Sequence, residues 1–343
     1  MSTTQKVDLD WKNLAFEYLK TDYNIRFTNK NGAWSEGELV SDEHVSLHMA
    51  APSLHYGQQA FEGMKAFGTA DGRIVVFRPL ENAKRLKKSC ERIFMPPVDE
   101  AMFLEAVRRV VAANSHFVPP YGTGASLYIR PLIFGDGAKI GLGPAEEYHF
   151  IVMVTPVGPY YKGGFNPVKA MILEEYDRAA PHGVGDCKVG GNYAAGLAGG
   201  QFAKDKGFPV ALYLDSAEKK YIDEFSTSNF IGIKGNTFIS PASRSILPSI
   251  TNDSLGIIAS DMGMKVERRP VPVEELKEFD EIGAVGTAAV ITPVSHIQYR
   301  DEELVFGDGI NAGKKISELY KTLVDIQTGE VEDTHNWLDV VEV

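Results

Sequence analysis

Short stretches rich in β-branched and aromatic residues recur through the first half of the chain. They lie at residues 73–77, 126–134 and 149–155. Side chains of this kind fit the pleated surface of a sheet. The pattern therefore predicts three strands, and we expect them to belong to one sheet.

Apolar residues between the first two of these stretches follow a helical period. Phe103, Val107, Val110 and Val111 fall on one face of a helix. Asp99 stands just before them, and an aspartate at that place accepts hydrogen bonds from the first amides of a helix. We expect a helix that begins after Asp99 and covers the sheet.

The second half of the chain repeats both patterns. Its strand-like stretches are residues 170–173, 210–214, 221–224 and 230–233. A helix is predicted after Tyr193, and another from Thr251 or Asn252 to about Met262. Strand-like and helical stretches thus occur in both halves, and we expect an α/β (α+β) protein.

The chain has 343 residues, more than one hydrophobic core usually serves, so two domains are expected. Residues 156–167 carry the Gly, Pro and Asn residues of a linker. This predicts a small N-terminal α/β domain at residues 1–155 and a larger C-terminal domain at 168–343, with the functional site between them. Residues 1–34 are polar with scattered aromatics, and we interpret them as an arm that docks on the body.

Composition and charge exclude several classes of function. A net charge of -11 offers no basic surface for nucleic acid. No apolar run approaches the ~18 residues of a membrane span, and the first residues lack a secretory pattern, so we expect a cytoplasmic protein with no membrane partner. Cys90 and Cys187 are too few for a disulfide framework, and scattered histidines support no metal site.

One lysine, Lys188, stands between glycines in the segment GDCKVGGNY, with Tyr193 five residues further on. A lysine acts as a nucleophile near neutral pH only when desolvation or nearby positive charge lowers its pKa from about 10.4. Flanking glycines let the backbone pack closely against a bound group. Lys188 is therefore the candidate reactive residue, although a lone lysine in a Gly-rich turn is more often a surface residue.

The segment GDCKVGGNYAAG resembles the one that bears the Schiff-base lysine in branched-chain amino acid aminotransferases, the pyridoxal-phosphate enzymes of fold type IV. Further stretches match in the expected order: LHYGQQAFEGMKAF, SLYIRPLIFG, IDEFSTSNFI, and ILPSIT followed by GTAAVITPV. The match runs from about residue 30 to the C-terminus, in the larger, eukaryote-like subtype. The resemblance implies the two-domain fold type IV architecture. It also implies ping-pong transfer of the amino group of leucine, isoleucine or valine to 2-oxoglutarate.

The resemblance further implies a site for pyridoxal 5'-phosphate. Lys188 would hold the cofactor and shuttle the substrate proton, and Tyr193 would contact the ring oxygen. Glu224 would pair with the ring nitrogen and keep it protonated. The residues that would hold the phosphate are Arg85, Ile250, Thr251 and Thr287. Without the resemblance, the arginine is typical of a solvated helix face and the other positions of an ordinary helix start.

Substrate contacts are also implied by the resemblance. They fall on Tyr56, Phe61, Tyr128, Arg130, Thr227, Ala288 and Ala289. Aromatic side chains suit a branched aliphatic group, whereas Tyr56, Tyr128 and Arg130 offer donors for the second carboxylate of glutamate, which is costly to bury unpaired. Ile140 and Leu142 are expected to complete the pocket of a partner subunit in a homodimer. By themselves, the alternating Tyr128 and Arg130 indicate only a polar sheet face.

The sequence departs from the family pattern at two places. Ser249 stands where members often have glycine, just before the implied phosphate turn. Ala289 and Thr292 stand where some relatives carry a redox CxxC, so we expect no thiol switch. Residues 135–141 and 309–315 lack the spacing of nucleotide-binding loops.

Two alternatives remain open at this point. D-amino acid aminotransferases and aminodeoxychorismate lyases share the lysine, the glutamate and the phosphate arginine, although residues 54–67 and 126–135 favour the branched-chain enzymes. A catalytically silent binding protein is the other alternative. The complete set of Lys188, Tyr193 and Glu224 argues against it.

Overall fold

The computed structural model describes residues 6–160 and 164–343. The chain divides into two compact units. The first comprises Met1–Lys162, Cys187–Gly190 and Asp325–Val343, and the second comprises Gly163–Asp186 and Gly191–Val324.

Strands and helices are both present up to residue 160. The strands are β1 (Asn24–Lys30), β2 (Ala33–Trp34), β3 (Glu38–Val40), β4 (Gln59–Phe61), β5 (Met64–Gly68), β6 (Ile74–Phe77), β7 (Ser126–Asp136) and β8 (Glu147–Val157). The helices are α1 (Pro52–Tyr56), α2 (Pro79–Arg92) and α3 (Glu100–Ala113). Short 3-10 turns lie at Trp11–Asn13 and Ser115–Phe117.

The remaining elements are also a mixture of strands and helices. The strands are β9 (Val168–Leu173), β10 (Val210–Leu214), β11 (Ile222–Phe225), β12 (Asn229–Lys234), β13 (Thr237–Pro241), β14 (Lys265–Arg269), β15 (Glu281–Gly286), β16 (Val290–Tyr299), β17 (Glu302–Val305) and β18 (Leu338–Val341). The helices are α4 (Gly190–Ala195), α5 (Leu197–Asp205), α6 (Ile250–Asp261) and α7 (Lys314–Gln327), with a 3-10 turn at Val273–Glu278.

A nine-stranded sheet forms the core of the first unit, in the order β18-β6-β5-β7-β8-β1-β2, with β3 paired to β1 and β4 to β7. The three strands predicted in the first half are confirmed as β6, β7 and β8 of this one sheet. The predicted helix is confirmed as α3, and the Asp99 carboxylate accepts a hydrogen bond from Ala101 N at 2.8 Å. Phe103 of α3 stacks on Phe150 of β8, so the helix covers the sheet as expected.

The interpretation of residues 1–34 as a docking arm is wrong for its later part. Residues 24–30 form β1, which pairs antiparallel with β8, and Ile25 and Phe27 are buried. Alternate residues of this strand point into the core, and that period-two pattern is short and interrupted by polar residues. Residues 1–5 lie outside the described part of the chain.

The second unit is built on another nine-stranded sheet, in the order β11-β10-β9-β16-β15-β12-β13-β14, with β17 paired to β16. An additional pairing joins β11 to β12 through Glu224 and Asn229. This contact closes six of the strands into a ring. The candidate carboxylate Glu224 therefore lies at the point of closure.

The two units differ from the predicted domains in their bounds. The first boundary, at residues 162 and 163, falls within the predicted linker, of which residues 161–163 lie outside the described residues. Residues 187–190, including Lys188, belong to the first unit although they were expected in the C-terminal domain. Residues 325–343 also return to it, because β18 pairs with β6 along its whole length.

The described residues lack two features that would suggest other functions. No helix among them is both long and apolar enough to cross a membrane. Neither do these residues include a group of three or more His, Cys, Asp or Glu side chains that could hold a metal ion.

Candidate active site

Backbone contacts hold Lys188 within the first unit. Its carbonyl accepts a hydrogen bond from Phe61 N at 3.0 Å, and its amide donates to Ser89 Oγ at 3.0 Å. Val189 forms an antiparallel bridge with Ala60. The segment that carries the lysine is thus fastened to β4 on one side and to α2 on the other.

The amine of Lys188 lies in a setting that disfavours its charge. Nζ lies 4.9 Å from the centroid of the Phe61 ring. Burial lowers the pKa of Lys188 to about 8, the positive charge of Arg85 lowers the pKa further, and the negative charge of Glu62 opposes this. With this pKa, roughly a tenth of Lys188 is uncharged at pH 7, far more than of a lysine with an ordinary pKa.

Arg85 is paired and almost buried, in contrast to the solvated helix face that its sequence context indicates. Its Nε donates to Glu62 Oε1 at 2.8 Å and its Nη2 to Glu62 Oε2 at 2.7 Å. Asn82, one turn earlier on α2, donates to Glu62 Oε2 at 2.7 Å. Glu62 is fully buried, so this two-bond pair holds the guanidinium in one orientation.

Tyr128 and Arg130 lie on one face of β7, as their alternation predicted. Arg130 Nη2 donates to Tyr128 Oη at 3.0 Å, and the guanidinium lies over the Phe61 ring at 4.9 Å from its centroid. A Cβ atom at Gly63 would collide with the Tyr128 hydroxyl, so glycine makes room for it. Arg130 Nε is buried and has no hydrogen-bond partner among the described residues. Such a donor is suited to an acceptor on a bound molecule.

Tyr56, which is expected to donate to the substrate, has a hydrogen bond within the chain. Its hydroxyl donates to the carbonyl of Ile140 within the same chain. Ile140 and Leu142 themselves are exposed, at 70% and 85% of their surface. These two side chains find no pocket within the described chain, although apolar groups of this size usually do.

Glu224 lies at the centre of a buried polar cluster in the second unit. Its Oε1 accepts from Leu247 N at 2.8 Å and lies 2.9 Å from Arg178 Nη1, and its Oε2 accepts from Asn229 Nδ2 at 2.8 Å. Burial raises the pKa of Glu224 to about 7, and the contacts with Arg178, Leu247 and Asn229 oppose that rise. Asn252 Nδ2 donates to Asn229 Oδ1 at 3.1 Å, which connects the cluster to α6.

Helix α6 begins at Ile250, slightly earlier than predicted. The Ser249 hydroxyl accepts from Asn252 N at 3.1 Å, and the Ser249 carbonyl accepts from Asp253 N. The departure from glycine at this position therefore provides a helix cap. The amides of Ile250 and Thr251 have no acceptor within the helix, because they precede its first repeating bond.

Two turns of the second unit bring further predicted residues together. Thr227 lies between β11 and β12, and Thr287, Ala288 and Ala289 lie between β15 and β16. Because Asn229 pairs with Val285, these turns are neighbours at the same end of the sheet. Glu224, which pairs with Asn229, lies at that end as well.

Tyr193 lies inside α4, which begins at Gly190, and the helix predicted after the tyrosine is confirmed as α5. Asn192, the residue before Tyr193, donates to the Val184 carbonyl at 2.8 Å, which connects α4 to the preceding loop. The Tyr193 side chain is half-buried.

Sequence reasoning missed three residues that organise these clusters, namely Glu62, Asn229 and Arg178. Glu62 carried a signal, because it is a charged residue enclosed in the apolar stretch QAFEGMKAF. Asn229 follows Glu224 in a strand-like run, where an asparagine is unusual. Arg178 lies in a loop of mixed composition, and nothing in its sequence context distinguishes it.

The chain is similar to known proteins over most of its length. The family model for amino-transferase class IV matches residues 59–297. The branched-chain-amino-acid aminotransferase of Helicobacter pylori is 47% identical over 334 residues, which are 96% of this chain and 97% of the relative. That of Haemophilus influenzae is 45% identical over 342 residues, or 98% and 99% of the two chains.

A solved structure of a similar protein extends the agreement to the fold. The crystal structure of the Escherichia coli branched-chain amino acid aminotransferase has a TM-score of 0.80 and 30% identity. The match covers 94% of this chain and 100% of the Escherichia coli chain. The expected fold type is therefore confirmed.

Proposed function

The chain belongs to the class IV aminotransferases, and within them to the branched-chain amino acid aminotransferases, and on that premise we propose that it transfers the amino group of L-leucine, L-isoleucine or L-valine to 2-oxoglutarate. The transfer proceeds by two half-reactions on pyridoxal phosphate. The observation that carries this proposal is Lys188. Its amine is buried beside Arg85, with a pKa lowered to about 8.

The donor groups of the chain fit pyridoxal phosphate. The aldehyde of the cofactor needs an amine that is partly uncharged, which is the state of Lys188. The ring nitrogen needs a carboxylate, and Glu224 is a buried one with hydrogen bonds on both oxygens. The phosphate needs a cation and backbone amides, as Arg85 and the first turn of α6 at Thr251 provide.

Each of these residues then has a defined task. When bound, the cofactor accepts the electron pair that is released as the substrate Cα–H bond breaks. The Lys188 amine removes the proton from the substrate Cα and delivers it to the cofactor carbon. Glu224 keeps the ring nitrogen protonated, Tyr193 contacts the ring oxygen, and Thr287 and the amide of Ile250 join the phosphate contacts.

The substrate contacts are proposed from the side chains of β4 and β7. Phe61 and Tyr128 offer aromatic surface to a branched aliphatic group. Arg130 offers its buried Nε, which has no hydrogen-bond partner in the described part of the chain, to the second carboxylate of glutamate or 2-oxoglutarate. Thr227 and the amides of Ala288 and Ala289 are proposed to bind the carboxylate that both substrates share.

We also propose that the active enzyme is a homodimer. Ile140 and Leu142 are exposed on one loop, and the Tyr56 hydroxyl holds the carbonyl of that loop. In this proposal the two apolar side chains fill the aliphatic pocket of the partner subunit. Tyr56 then acts on the partner's pocket through the loop that it holds.

The test of the proposed function combines mapping and single-turnover kinetics. The full chain is loaded with pyridoxal phosphate and reduced with borohydride, and the labelled peptide is sequenced. We expect the label on Lys188. In a separate, unreduced sample of the loaded enzyme, leucine, isoleucine and valine should each convert the enzyme in one turnover, and 2-oxoglutarate should reverse the conversion.

Matched controls make this experiment decisive. Lys188→Ala should retain its fold and lose nearly all transfer, whereas Lys206→Ala, a change at an exposed lysine after α5, should behave as the wild type. D-leucine and aminodeoxychorismate should not react. Label on another lysine would contradict the assignment of Lys188. Turnover with D-leucine or aminodeoxychorismate, and not with the three L-amino acids, would contradict the substrate class.

A further inference from the structure

Arg178 is a buried arginine in the loop that follows β9, outside every motif recognised in the sequence. Its side chain is only 7% exposed. Nη1 lies 2.9 Å from Glu224 Oε1 and donates to the Ser245 carbonyl at 2.8 Å and to the Gly185 carbonyl at 3.3 Å. One guanidinium group therefore joins the Glu224 carboxylate to two separate backbone segments of the second unit.

The place that Arg178 occupies is tightly closed. A Cβ atom at Gly185 would collide with the Ser245 carbonyl, so only glycine fits there. The Ser245 hydroxyl donates to Asp223 Oδ2 at 2.6 Å, which fixes this segment from its other side. A guanidinium held by carbonyls on two fixed segments has little freedom to leave the carboxylate.

Two charged groups are among the largest influences on the pKa of Glu224. Arg178 lowers it, and Asp223, the preceding residue on β11, raises it. Asn229 Nδ2 and Leu247 N contribute neutral donors. Burial and Asp223 favour the protonated acid, whereas Arg178 and the two donors favour the carboxylate.

A ring nitrogen is kept protonated only by a partner that is itself ionised. A glutamic acid that kept its proton in the same place would leave the nitrogen unprotonated, and the electron sink would be weaker. The ionisation of Glu224 is thus a requirement of the proposed chemistry. Burial alone works against that requirement.

We propose that Arg178 is a positioning residue that keeps Glu224 ionised and directs its carboxylate towards the protonated ring nitrogen of the cofactor. This inference rests on the proposed function for the nitrogen contact. The charge of Glu224 can be measured in the chain without cofactor, and that measurement does not depend on the proposed function. Arg178 does not touch the reacting atoms in this proposal, and it acts only through Glu224.

The first measurement follows the protonation of Glu224 in the full chain before cofactor is added. Infrared difference spectra between low and high pH contain a carbonyl band for each buried protonated carboxyl group. The band that is missing in Glu224→Gln belongs to Glu224. An opposite charge at this distance lowers a carboxyl pKa by about one to three units. Arg178→Met should therefore raise the midpoint, the pH at which this band has half its full intensity, by a similar amount.

Two further variants keep the measurement interpretable. Arg178→Lys retains a positive charge but not the planar fork, and we expect a smaller rise of the midpoint. Arg244→Met removes an exposed arginine one residue before Ser245 and should leave the midpoint unchanged. If Arg178→Met does not fold, the comparison of Arg178→Lys with Arg244→Met still decides, because only the former contacts Glu224.

The second measurement uses the loaded enzyme. The rate of the leucine half-reaction is recorded against pH. In Arg178→Met, the acidic limb of this pH–rate profile should move to higher pH by the same interval as the infrared midpoint. At neutral pH this corresponds to a loss of about tenfold or more. A purely structural role would lower the rate equally at every pH.

The outcomes separate the inference from the proposed function. An unchanged infrared midpoint in both Arg178 variants overturns the inference, whatever the enzyme does. A shifted midpoint without a shifted pH profile overturns the link to the ring nitrogen. A shifted midpoint in a protein that does not convert leucine supports the effect of Arg178 on charge and contradicts the proposed function instead.

Discussion

The chemistry of single residues in this chain depends on buried charged groups, whose cost of burial is only partly offset by their neighbours. Lys188 loses part of its positive charge because it is buried near Arg85. Glu62 and Glu224 are each buried with an arginine in direct contact. Breaking such a pair costs far more than the pair itself contributes, because it leaves a buried charge alone. These positions therefore tolerate little substitution, whether or not a residue touches the substrate.

Arg130 is the residue whose role distinguishes the two substrates. Arg130→Met retains much of the apolar bulk but removes every donor, including the buried Nε. A charge-assisted hydrogen bond contributes about 1.5–3 kcal/mol, so kcat/KM for 2-oxoglutarate should fall by about ten- to a hundredfold. The half-reaction with leucine should change little. Separate single-turnover measurements of the two half-reactions check this.

Arg130→Lys is the matched variant, since it keeps the charge but not the fork. It should recover part of the 2-oxoglutarate half-reaction. An equal fall in both half-reactions would contradict the role in recognition. It would show instead that Arg130 supports the arrangement of Phe61 and Tyr128, which its guanidinium contacts.

At the scale of elements, the ends of helices and strands matter most. The Lys188 segment is fastened to β4 and α2, and Glu224 lies where β11 meets β12. Helix α6 presents its first amides at Ile250 and Thr251, and its start is fixed by the Ser249 cap. The reactive groups thus lie at the edges of regular structure, which supports them without enclosing them.

The cap at Ser249 gives a prediction about stability. Ser249→Ala removes the acceptor for Asn252 N and should lower the free energy of unfolding by about 0.5–2 kcal/mol, whereas Ser249→Gly should cost only a few tenths. Denaturant titration of the full chain without cofactor measures both. Asp99→Ala on α3 is the positive control, because Asp99 caps in the same way.

Cofactor affinity should differ little between the two variants. Neither change removes the amides of Ile250 and Thr251, so the dissociation constant of pyridoxal phosphate should follow stability and change little. Equal costs for Ser249→Ala and Ser249→Gly would argue against capping by the hydroxyl.

At the scale of the whole molecule, the chain forms two units whose bounds do not follow the order of the sequence. Residues 325–343 return to the first unit as β18, and residues 187–190 join it through β4. Each unit keeps its own nine-stranded sheet. The proposed homodimer adds a further level, in which a loop of one chain completes the site of the other.

The dimer is tested at the exposed end of that loop. Leu142→Asp places a charge where an apolar side chain is proposed to be buried twice, once in each symmetric copy. Burial of a leucine contributes about 1.5–3 kcal/mol, so the dimer dissociation constant should rise by at least about a hundredfold. Light scattering over a concentration series measures it, with the leucine half-reaction recorded in parallel.

Ile310→Asp is the matched control, because Ile310 is 77% exposed in the second unit and has no proposed partner. It should leave both the assembly and the rate unchanged. A wild-type protein that remains monomeric at every concentration would contradict the dimer. So would a Leu142→Asp protein that assembles and reacts like the wild type.

The sequence by itself determined the local elements and the family. The spacing of Phe103, Val107 and Val110 was sufficient for α3, and β-branched runs were sufficient for β6, β7 and β10, because these patterns depend on periods of a few residues. The resemblance around Lys188 identified the family, which the comparisons confirm. Both rest on information that lies close together in the chain.

Only the tertiary structure decided which distant charges meet. Glu62 and Arg85 are 23 residues apart, and no periodicity connects them. Arg178 and Glu224 come together because a loop and a strand fold against each other, and β18 joins β6 across most of the chain. Pairing of this kind depends on long-range packing and on the cost of burying a charge alone, neither of which appears in a local pattern.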